Sequence, residues 1–514
     1  MKLKNLTIAI LAATLPTTGV FAAALDRSGQ SISSFLQPGN YFEAGISVLD
    51  PTVEGKESGE TPKPHRDIGD MGDDYFFPSA AIKLQVTDKF SFGLLYDQPF
   101  GADAAYSGQN AFVSANTDTI IDPIKLETMK AGIKASTIES EFAALTAQQR
   151  VGAVLQAQGV DLTTAAGQAR LAGTLNAYNA DPTTKTTIDT AVKAVVTQKV
   201  NTVVDSKVDA VNAGLGKGNT KVEVDTQNLS MIFGFQPTKN INLYGGGVYQ
   251  TIKGNVSLRG SAYSLYNGYD AKIKETGGVG WLAGAAFQIP EIALKASVTY
   301  RSEIDHDVKI DEPFPNLTGA LSLLDPVNGA TAATNIQNRN EKTRITTPQS
   351  VNLDFQTGVM ANTVAFANLR WVNWKNFSIR PDQFGEVSKI AGKIPGIDRP
   401  NGFNLVEYSD DQISATVGVG RKLNEQWAGN VSVGWDSGAG NPVSTLGPTE
   451  GYWNVGLGAQ FSPTPQTFIA GGVKYFWLGD AKAQTGAQSG GDKYVAEFES
   501  NKAIAYGLKI GYKF

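Results

Sequence analysis

Hydrophobic and polar positions alternate through most of this chain. In residues 506–514, YGLKIGYKF, the large apolar side chains of Tyr506, Leu508, Ile510, Tyr512 and Phe514 take every second place, and Gly507, Lys509, Gly511 and Lys513 fill the gaps. Val279, Trp281, Ala283, Ala285, Phe287 and Ile289 alternate with Gly278, Gly280, Gly284 and Gln288, Leu282 breaking the polar side. Trp453, Val455, Leu457, Ala459 and Phe461 repeat the pattern, as do Val431, Val433 and Trp435. A period of two puts alternate side chains on opposite faces of a β-strand. A soluble sandwich alternates too. Here, however, the polar face is mostly Gly, Ser and Asn, which suits a crowded or water-filled lumen better than a solvated surface.

The connections alternate as well. Tight turns are expected at Thr87-Asp88, Pro237–Asn240, Pro290-Glu291, Ala361-Asn362, Lys422–Asn424 and Ser462–Pro465. Long polar connections are expected at 51–72, 102–220, 260–275, 312–342, 381–403, 436–450 and 479–494. The pattern predicts about fourteen antiparallel strands, an even number as in bacterial membrane barrels, with tight turns at one end and large loops at the other. Closing such a sheet removes the unpaired edges that hydrocarbon cannot solvate. The C-terminal strand would pair with the first, its greasy face toward lipid and its Gly/Lys face inward. Tyr512 and Phe514 would then sit near the membrane boundary.

Composition narrows this picture. The 514 residues include no cysteine, which removes disulfides, zinc–thiolate sites and thiol nucleophiles together. The formal charge of −5, without a basic run, argues against a nucleic-acid surface. The 55 glycines often fall inside expected strands, where glycine needs a reason such as a bend or a crowded interior. Residues 1–22 read as a cleaved secretory signal: Lys2 and Lys4, an apolar run from Leu6, then small residues, with cleavage after Ala22 or Ala24. Residues 25–39, LDRSGQSISSFLQPG, read either as a flexible tail or as a plug in the lumen.

The connection 102–220 is too long to be structureless. Ile188, Val192, Val196, Val200, Val204, Val208 and Val211 form a helical stripe that starts at Asp181-Pro182 and stops at Gly214. Leu126, Met129, Ile133, Ile138, Phe142 and Leu145 suggest a second helix, and 162–178 a third. Two roles stay open for this insertion: a bundle covering the pore mouth, or a wall of a ligand-capture groove.

With these features in place, the chain resembles the FadL family of outer-membrane transporters for long-chain fatty acids and related hydrophobic compounds. The likeness rests on the strand count, the N-terminal segment, VTYRSEIDHDVKI (298–310), DDYFFPSAAIKLQVTDKFSFGLLYDQPFG (73–101), NLRWVNWKNFSI (368–379) and the C-terminal strand. It implies an all-β transmembrane fold. The order is a signal peptide (1–22), a plug (23–39) and a barrel (40–514) that carries a helical extracellular insertion at 102–220. It implies uptake by diffusion, with a ligand captured among the extracellular loops, held inside, and released sideways into the outer leaflet. The implied location is the outer membrane of a Gram-negative bacterium. The implied partners are a long-chain fatty acid or other hydrophobic small molecule, lipopolysaccharide and phospholipid, with no nucleic acid, no cofactor and a monomeric chain.

The resemblance also nominates residues. The wall opening falls near Tyr75, Pro78, Gln98, Pro99, Phe100 and Gly101. Pro99 cannot donate to a ladder and Gly101 tolerates unusual backbone angles, although Pro99 would equally end a strand before a loop. Arg259 and Arg380 match basic positions that would hold a ligand carboxylate, with lipopolysaccharide contact as the alternative. Arg259 shares a face with Thr251, Lys253, Asn255 and Ser257, which is read as the lumen face. Leu25 is a candidate for reaching the pocket. Arg301 and Glu303 are expected to form a structural ion pair in the lumen. The family's Asn-Pro-Ala plug motif is missing and the plug is short, so gating residues do not transfer. An enzyme is not expected, since His65 and His306 lack a nucleophile partner. Aromatic or alkane uptake and a general porin remain as other functions.

Overall fold

The computed structural model describes residues 25–514 except 62, 122, 326–327 and 395–396. The predicted signal sequence and both cleavage points lie outside the described residues. The alternating segments form strands β1 (Tyr41–Thr52), β2 (Tyr75–Gln85), β3 (Phe90–Asp97), β4 (Lys221–Thr238), β5 (Ile241–Leu258), β6 (Tyr269–Ile289) and β7 (Leu294–Arg301). They continue as β8 (Ser350–Met360), β9 (Thr363–Val372), β10 (Gln412–Lys422), β11 (Trp427–Asp436), β12 (Tyr452–Phe461), β13 (Thr467–Leu478) and β14 (Lys502–Lys513). Each pairs antiparallel with its neighbours in sequence, and β14 pairs with β1 from Tyr41 opposite Lys513 to Thr52 opposite Lys502. The result is a closed 14-strand barrel.

The faces follow the alternation. Tyr506, Leu508, Ile510, Tyr512 and Phe514 all point outward, while Lys509 is buried inside. Trp281, Trp453, Val431 and Val433 belong to the same exposed apolar band. No helix of the described residues is long and apolar enough to cross a membrane, so the crossing belongs to the strands. The tight turns fall where the sequence places them, at the end of the barrel that also carries both chain ends of the closing pair.

The long connections differ in one physical respect. The chain between β3 and β4 is still strand at Gly101–Ala105, paired with β4, and β6 begins at Tyr269 inside the expected loop. Strands β4 to β6 therefore run past the apolar band, and there the polarity of their faces inverts. On β4, Leu229, Met231, Phe233 and Phe235 face outward in the lower part, while Lys221 and Glu223 do so above. Inward, Asn228 and Ser230 give way to Val222 and Val224. Beyond the lipid the outside is water and the inside is an apolar chamber, so the same alternation carries opposite chemistry.

Residues 116–215 and 315–334 form a separate unit. It contains α1 (Pro123–Ala144), α2 (Ala147–Ala157), α3 (Ala165–Ala180), α4 (Pro182–Ala213) and α5 (Leu317–Leu324). Asp181 caps α4 through the backbone N–H groups of Thr183 and Thr184, with Pro182 at its first turn. Ile188, Val192, Val196, Val200 and Val204 are buried against Val151, Leu155 and Leu171. Valine is a modest helix former, and this shared apolar seam compensates.

Leu508→Arg tests the lipid face. A charge on the outer face near the middle of a strand costs about 2–4 kcal/mol, so the variant is expected to yield less folded, heat-modifiable barrel on gel electrophoresis. Unchanged yield and melting would place that face in water.

Candidate functional site

The N-terminal segment folds into the lumen. Ile32, Phe35 and Leu36 are buried with Ala81, Leu95, Ile232 and Tyr244 of the wall. Phe35 explains two of the strand glycines: a Cβ on Gly93 or on Gly234 would stand 2.6 or 2.9 Å from its ring. Burial of three large apolar side chains favours the seat by roughly 1.5–3 kcal/mol each.

Polar bolts fix the rest of the plug. Lys83 Nζ donates to the carbonyls of Gln37 and Gly39 at 3.0 and 2.9 Å, and Lys295 Nζ to that of Leu36 at 2.9 Å. Asn352 donates to the Gly29 carbonyl at 2.7 Å, and Arg301 to the Gln30 carbonyl at 3.1 Å. Ser28 donates to the Asp97 carboxylate at 2.5 Å. The firmest bolt is Asp26 with Arg370, 2.7 Å apart, with side chains only 6% and 1% exposed. Gln30 sits in the left-handed region at φ 50°, a conformation that costs a non-glycine residue about 1–2 kcal/mol, and its side chain accepts from Arg370 at 3.1 Å.

Beside the plug the wall opens. β2 pairs with β1 from Tyr75 to Lys83, yet with β3 only from Ala80 to Gln85. Residues 75–79 therefore meet no strand on their β3 side until the bridge of Gly72 with Ala104 and the Tyr75 hydroxyl, which donates to the Asp103 carbonyl at 2.6 Å. The cause lies in β3. Asp97 pairs with Asn228 and Gly101 with Asp225, so this side takes one residue step more than β4 opposite it. That bulge at Gln98-Pro99 turns the edge away from β2.

The plug occupies the freed edge. The Arg27 N–H donates to the Pro99 carbonyl at 2.6 Å, the Gly101 N–H donates to the Leu25 carbonyl at 2.9 Å, and Asp26 bridges to Phe100. Phe100 packs edge-on against Trp374, ring centroids 5.4 Å apart. In effect residues 25–28 stand in for the missing length of β2, and they seal the window with backbone hydrogen bonds.

Two chambers meet at this seal. The lower, about 200 Å³, has a mixed lining in which Arg301, Lys474 and Asp354 stand beside Ile32, Leu95 and Phe355, and it reaches the window at Pro78, Ser79 and Gln98. The upper, about 40 Å³, is lined by Leu25, Leu49, Val222, Val224, Val256 and Leu446, and it reaches the window at Tyr75 and Gly101. Leu25 lines the upper chamber.

The nominated arginines lie elsewhere. Arg259 donates to the carbonyls of Lys217, Leu258 and Tyr269 and pairs with Asp270 at 2.7 Å. Its expected lumen face is the outer one, because Ile252, Val256 and Leu258 are the buried set at this inverted height. Arg380 donates to the Gly385 carbonyl, the Ser388 hydroxyl and the Asn401 carbonyl, tying a loop around the helix 382–391. Neither lines the two chambers. The Arg301–Glu303 pair does not form among the described residues: β7 ends at Arg301, Glu303 is exposed, and Arg301 turns to the plug. His65 contacts the Thr61 carbonyl and His306 the Gln250 side chain, both at roles of loop and lumen packing.

Sequence reasoning missed Arg27, Asp26 and Arg370. Arg27 is 7% exposed and lies over the Tyr75 ring at 3.9 Å. A Cβ on Gly101 would collide with its guanidinium and with the Val224 backbone carbonyl, 2.5 Å away, and the latter cannot yield. Arg370 does follow the even-numbered lumen face of β9, so its alternation was a usable signal. Arg27 lies outside any periodic segment and offered none.

A lipid-faced barrel whose bore is stoppered and whose wall has a side window is an outer-membrane channel for molecules that prefer lipid to water. Residues 247–514, more than half of the chain, match the family described as outer membrane protein transport protein (OMPP1/FadL/TodX), and the chain belongs to that family of transporters for hydrophobic compounds. The crystal structure of a Pseudomonas aeruginosa FadL homologue is similar over 94% of this chain and 92% of that one, with a TM-score of 0.56 and 13% identity. The crystal structure of the Pseudomonas putida toluene transporter TodX is similar over 98% of each chain, with a TM-score of 0.50 and 9% identity. These likenesses are of fold. No curated protein sequence matches.

Arg370→Leu leaves Asp26 buried without its cation, a change worth roughly 3–5 kcal/mol for a buried pair. In planar bilayers the variant is expected to open to ions far more often than the wild-type chain. Equal conductance would show that the pair does not hold the plug.

Proposed function

We propose that the chain carries long-chain fatty acids across the outer membrane by diffusion. A ligand enters from the extracellular loops, lodges in the apolar upper chamber, and leaves through the wall at Tyr75, Pro78 and Gln98–Gly101 into the outer leaflet. The observation that carries this reading is the window itself, a gap in the β2–β3 ladder stoppered by the chain's own N-terminal segment. Such an exit spares an oily molecule the passage past the charged groups of Arg301, Lys474 and Asp354 in the lower chamber. A gradient suffices to drive it. The apolar lining of the upper chamber also supports a second reading, uptake of neutral aromatic or alkane hydrocarbons. The plug bolts weigh against a general porin, which needs an open bore. On this reading the chain works as a monomer among lipopolysaccharide and phospholipid.

Deletion of Pro99 is the direct test. It removes the extra residue, brings Gln98 and Phe100 opposite Gln227 and Thr226, and lets β3 run on beside β2. The shortened chain is expected to assemble with normal heat-modifiability and to lose uptake of radiolabelled oleate in intact cells by about tenfold or more, the loss that follows from an interrupted obligatory step. Uptake at the wild-type rate by the assembled variant would rule out exit through this window.

A further inference from the structure

We propose that the upper chamber holds a recognition site for an uncharged oxygen, built on the hydroxyl of Tyr408, and that the chain takes up long-chain alcohols. This rests on the uptake route above and adds a class of cargo to it: unbranched chains whose polar end is a neutral oxygen.

The loops place Tyr408 firmly. Two short strands, Ser378–Ile379 and Val406–Glu407, pair with Ile379 opposite Val406, and the Leu405 N–H donates to the Ile379 carbonyl at 2.9 Å. Ile379, Leu405, Val406 and Tyr408 come to the chamber wall together. The Tyr408 ring packs on Trp374 and Phe377, with centroids 5.2 and 5.8 Å apart. Trp374 is itself fixed, its Nε1 donating to the Gln412 side chain at 2.8 Å and its ring standing edge-on to Phe100 at the window. A hydroxyl on so constrained a ring has its place before any ligand arrives.

That hydroxyl is not used by the fold. Buried tyrosines ordinarily find a hydrogen-bond partner. The loop tyrosines do so: Tyr106 donates to the Thr445 carbonyl, Tyr263 meets the Thr445 hydroxyl, Tyr266 donates to the Phe384 carbonyl, and Tyr269 to Glu312. Tyr408 makes ring contacts but no hydrogen bond among the described residues. Burial alone pushes its pKa up, with no charge or hydrogen bond contributing, so it would meet a ligand as a neutral donor and acceptor. Ser444, on the same chamber wall, accepts from the Leu446 N–H at 3.1 Å, and its own O–H is a second donor.

The charged groups at the chamber are answered within the chain, Asp26 by Arg370, and Arg27 by Asp103, Asp225 and the Tyr75 hydroxyl. An oxygen on the ligand would give Tyr408 the partner it lacks. A hydrocarbon of the same length would leave it unmet, which is the usual origin of selectivity for an oxygenated molecule. Size narrows the class further. The chamber, at about 40 Å³, holds about three water-sized spheres, the room of one oxygen and two methylenes in line, and so it favours an unbranched head over an aromatic ring.

The test measures equilibrium binding of radiolabelled 1-dodecanol and dodecane, alike in tail and different by one oxygen, to the full-length mature protein in a neutral detergent. The wild type is compared with Tyr408→Phe, which keeps the ring and removes only the hydroxyl, with heat-modifiability as the folding check. Both proteins see the same micelles, so the ratio of variant to wild type cancels the partitioning of each ligand into detergent. Tyr408→Phe is expected to weaken 1-dodecanol by about 2- to 10-fold, the range of a neutral hydrogen bond, and to leave dodecane within about twofold. A variant that holds the alcohol as the wild type does, or that loses both ligands equally, overturns the inference and leaves the uptake route standing. So does a wild type that binds oleate but neither of the two probes. A wild type that binds none of the three sinks both. Should Tyr408→Phe fail to assemble, a crystal structure of the wild type with 1-dodecanol decides: the alcohol oxygen is expected within hydrogen-bonding distance of Tyr408, and an oxygen placed elsewhere overturns the proposal.

Discussion

Hydrocarbon offers no partner to a peptide group, and this one constraint organises the molecule. Every strand edge in the bilayer must be paired, so the sheet closes from β14 onto β1. The exception is the length of β2 from Tyr75 to Ser79. The facing edge at Pro99–Gly101 is paired instead by the N-terminal segment, the Arg27 N–H donating to the Pro99 carbonyl and the Gly101 N–H to the Leu25 carbonyl. The wall is thus closed here by a few backbone hydrogen bonds. Each is worth only about 0.5–1.5 kcal/mol net, small enough for thermal motion and ligand binding to break them.

Above the apolar band the faces exchange chemistry. Lys221 and Glu223 meet water outside while Val222 and Val224 line the upper chamber. Below it Leu229 and Phe233 meet lipid while Asn228 and Ser230 line the bore. The charged groups of Arg301, Lys474 and Asp354 lie below, and the gap in the β2–β3 ladder falls where the two halves of the interior meet. The polar bolts around Arg370 and Arg301 mark the boundary between the two.

The barrel was legible in the sequence because a lipid-facing strand must alternate and because its turns must be short at one end. Strand count, turn positions and outward faces at 279–289 and 506–514 follow from that alone. The window was half legible: Pro99 and Gly101 flagged a broken ladder, but the extra residue shows only when β4 is laid opposite. Arg259 was misplaced because its strand crosses the band, and parity read from the lower half gives the wrong side above it. Glu303 was misread because β7 stops at Arg301, which no local pattern announces. Arg27 and Asp26 sit in an aperiodic segment whose partners are distant in sequence, at Tyr75, Pro99 and Arg370.

The left-handed pair Gly29 and Gln30 divides the plug into a short arm at the window and a longer anchored part held by Lys83 and Lys295. The arm carries the Asp26–Arg370 pair and the backbone bonds to Pro99 and Gly101, so its hold on the wall is separate from that of the anchored part. On the proposed route the arm is the part that moves, and the anchored part stays in the bore.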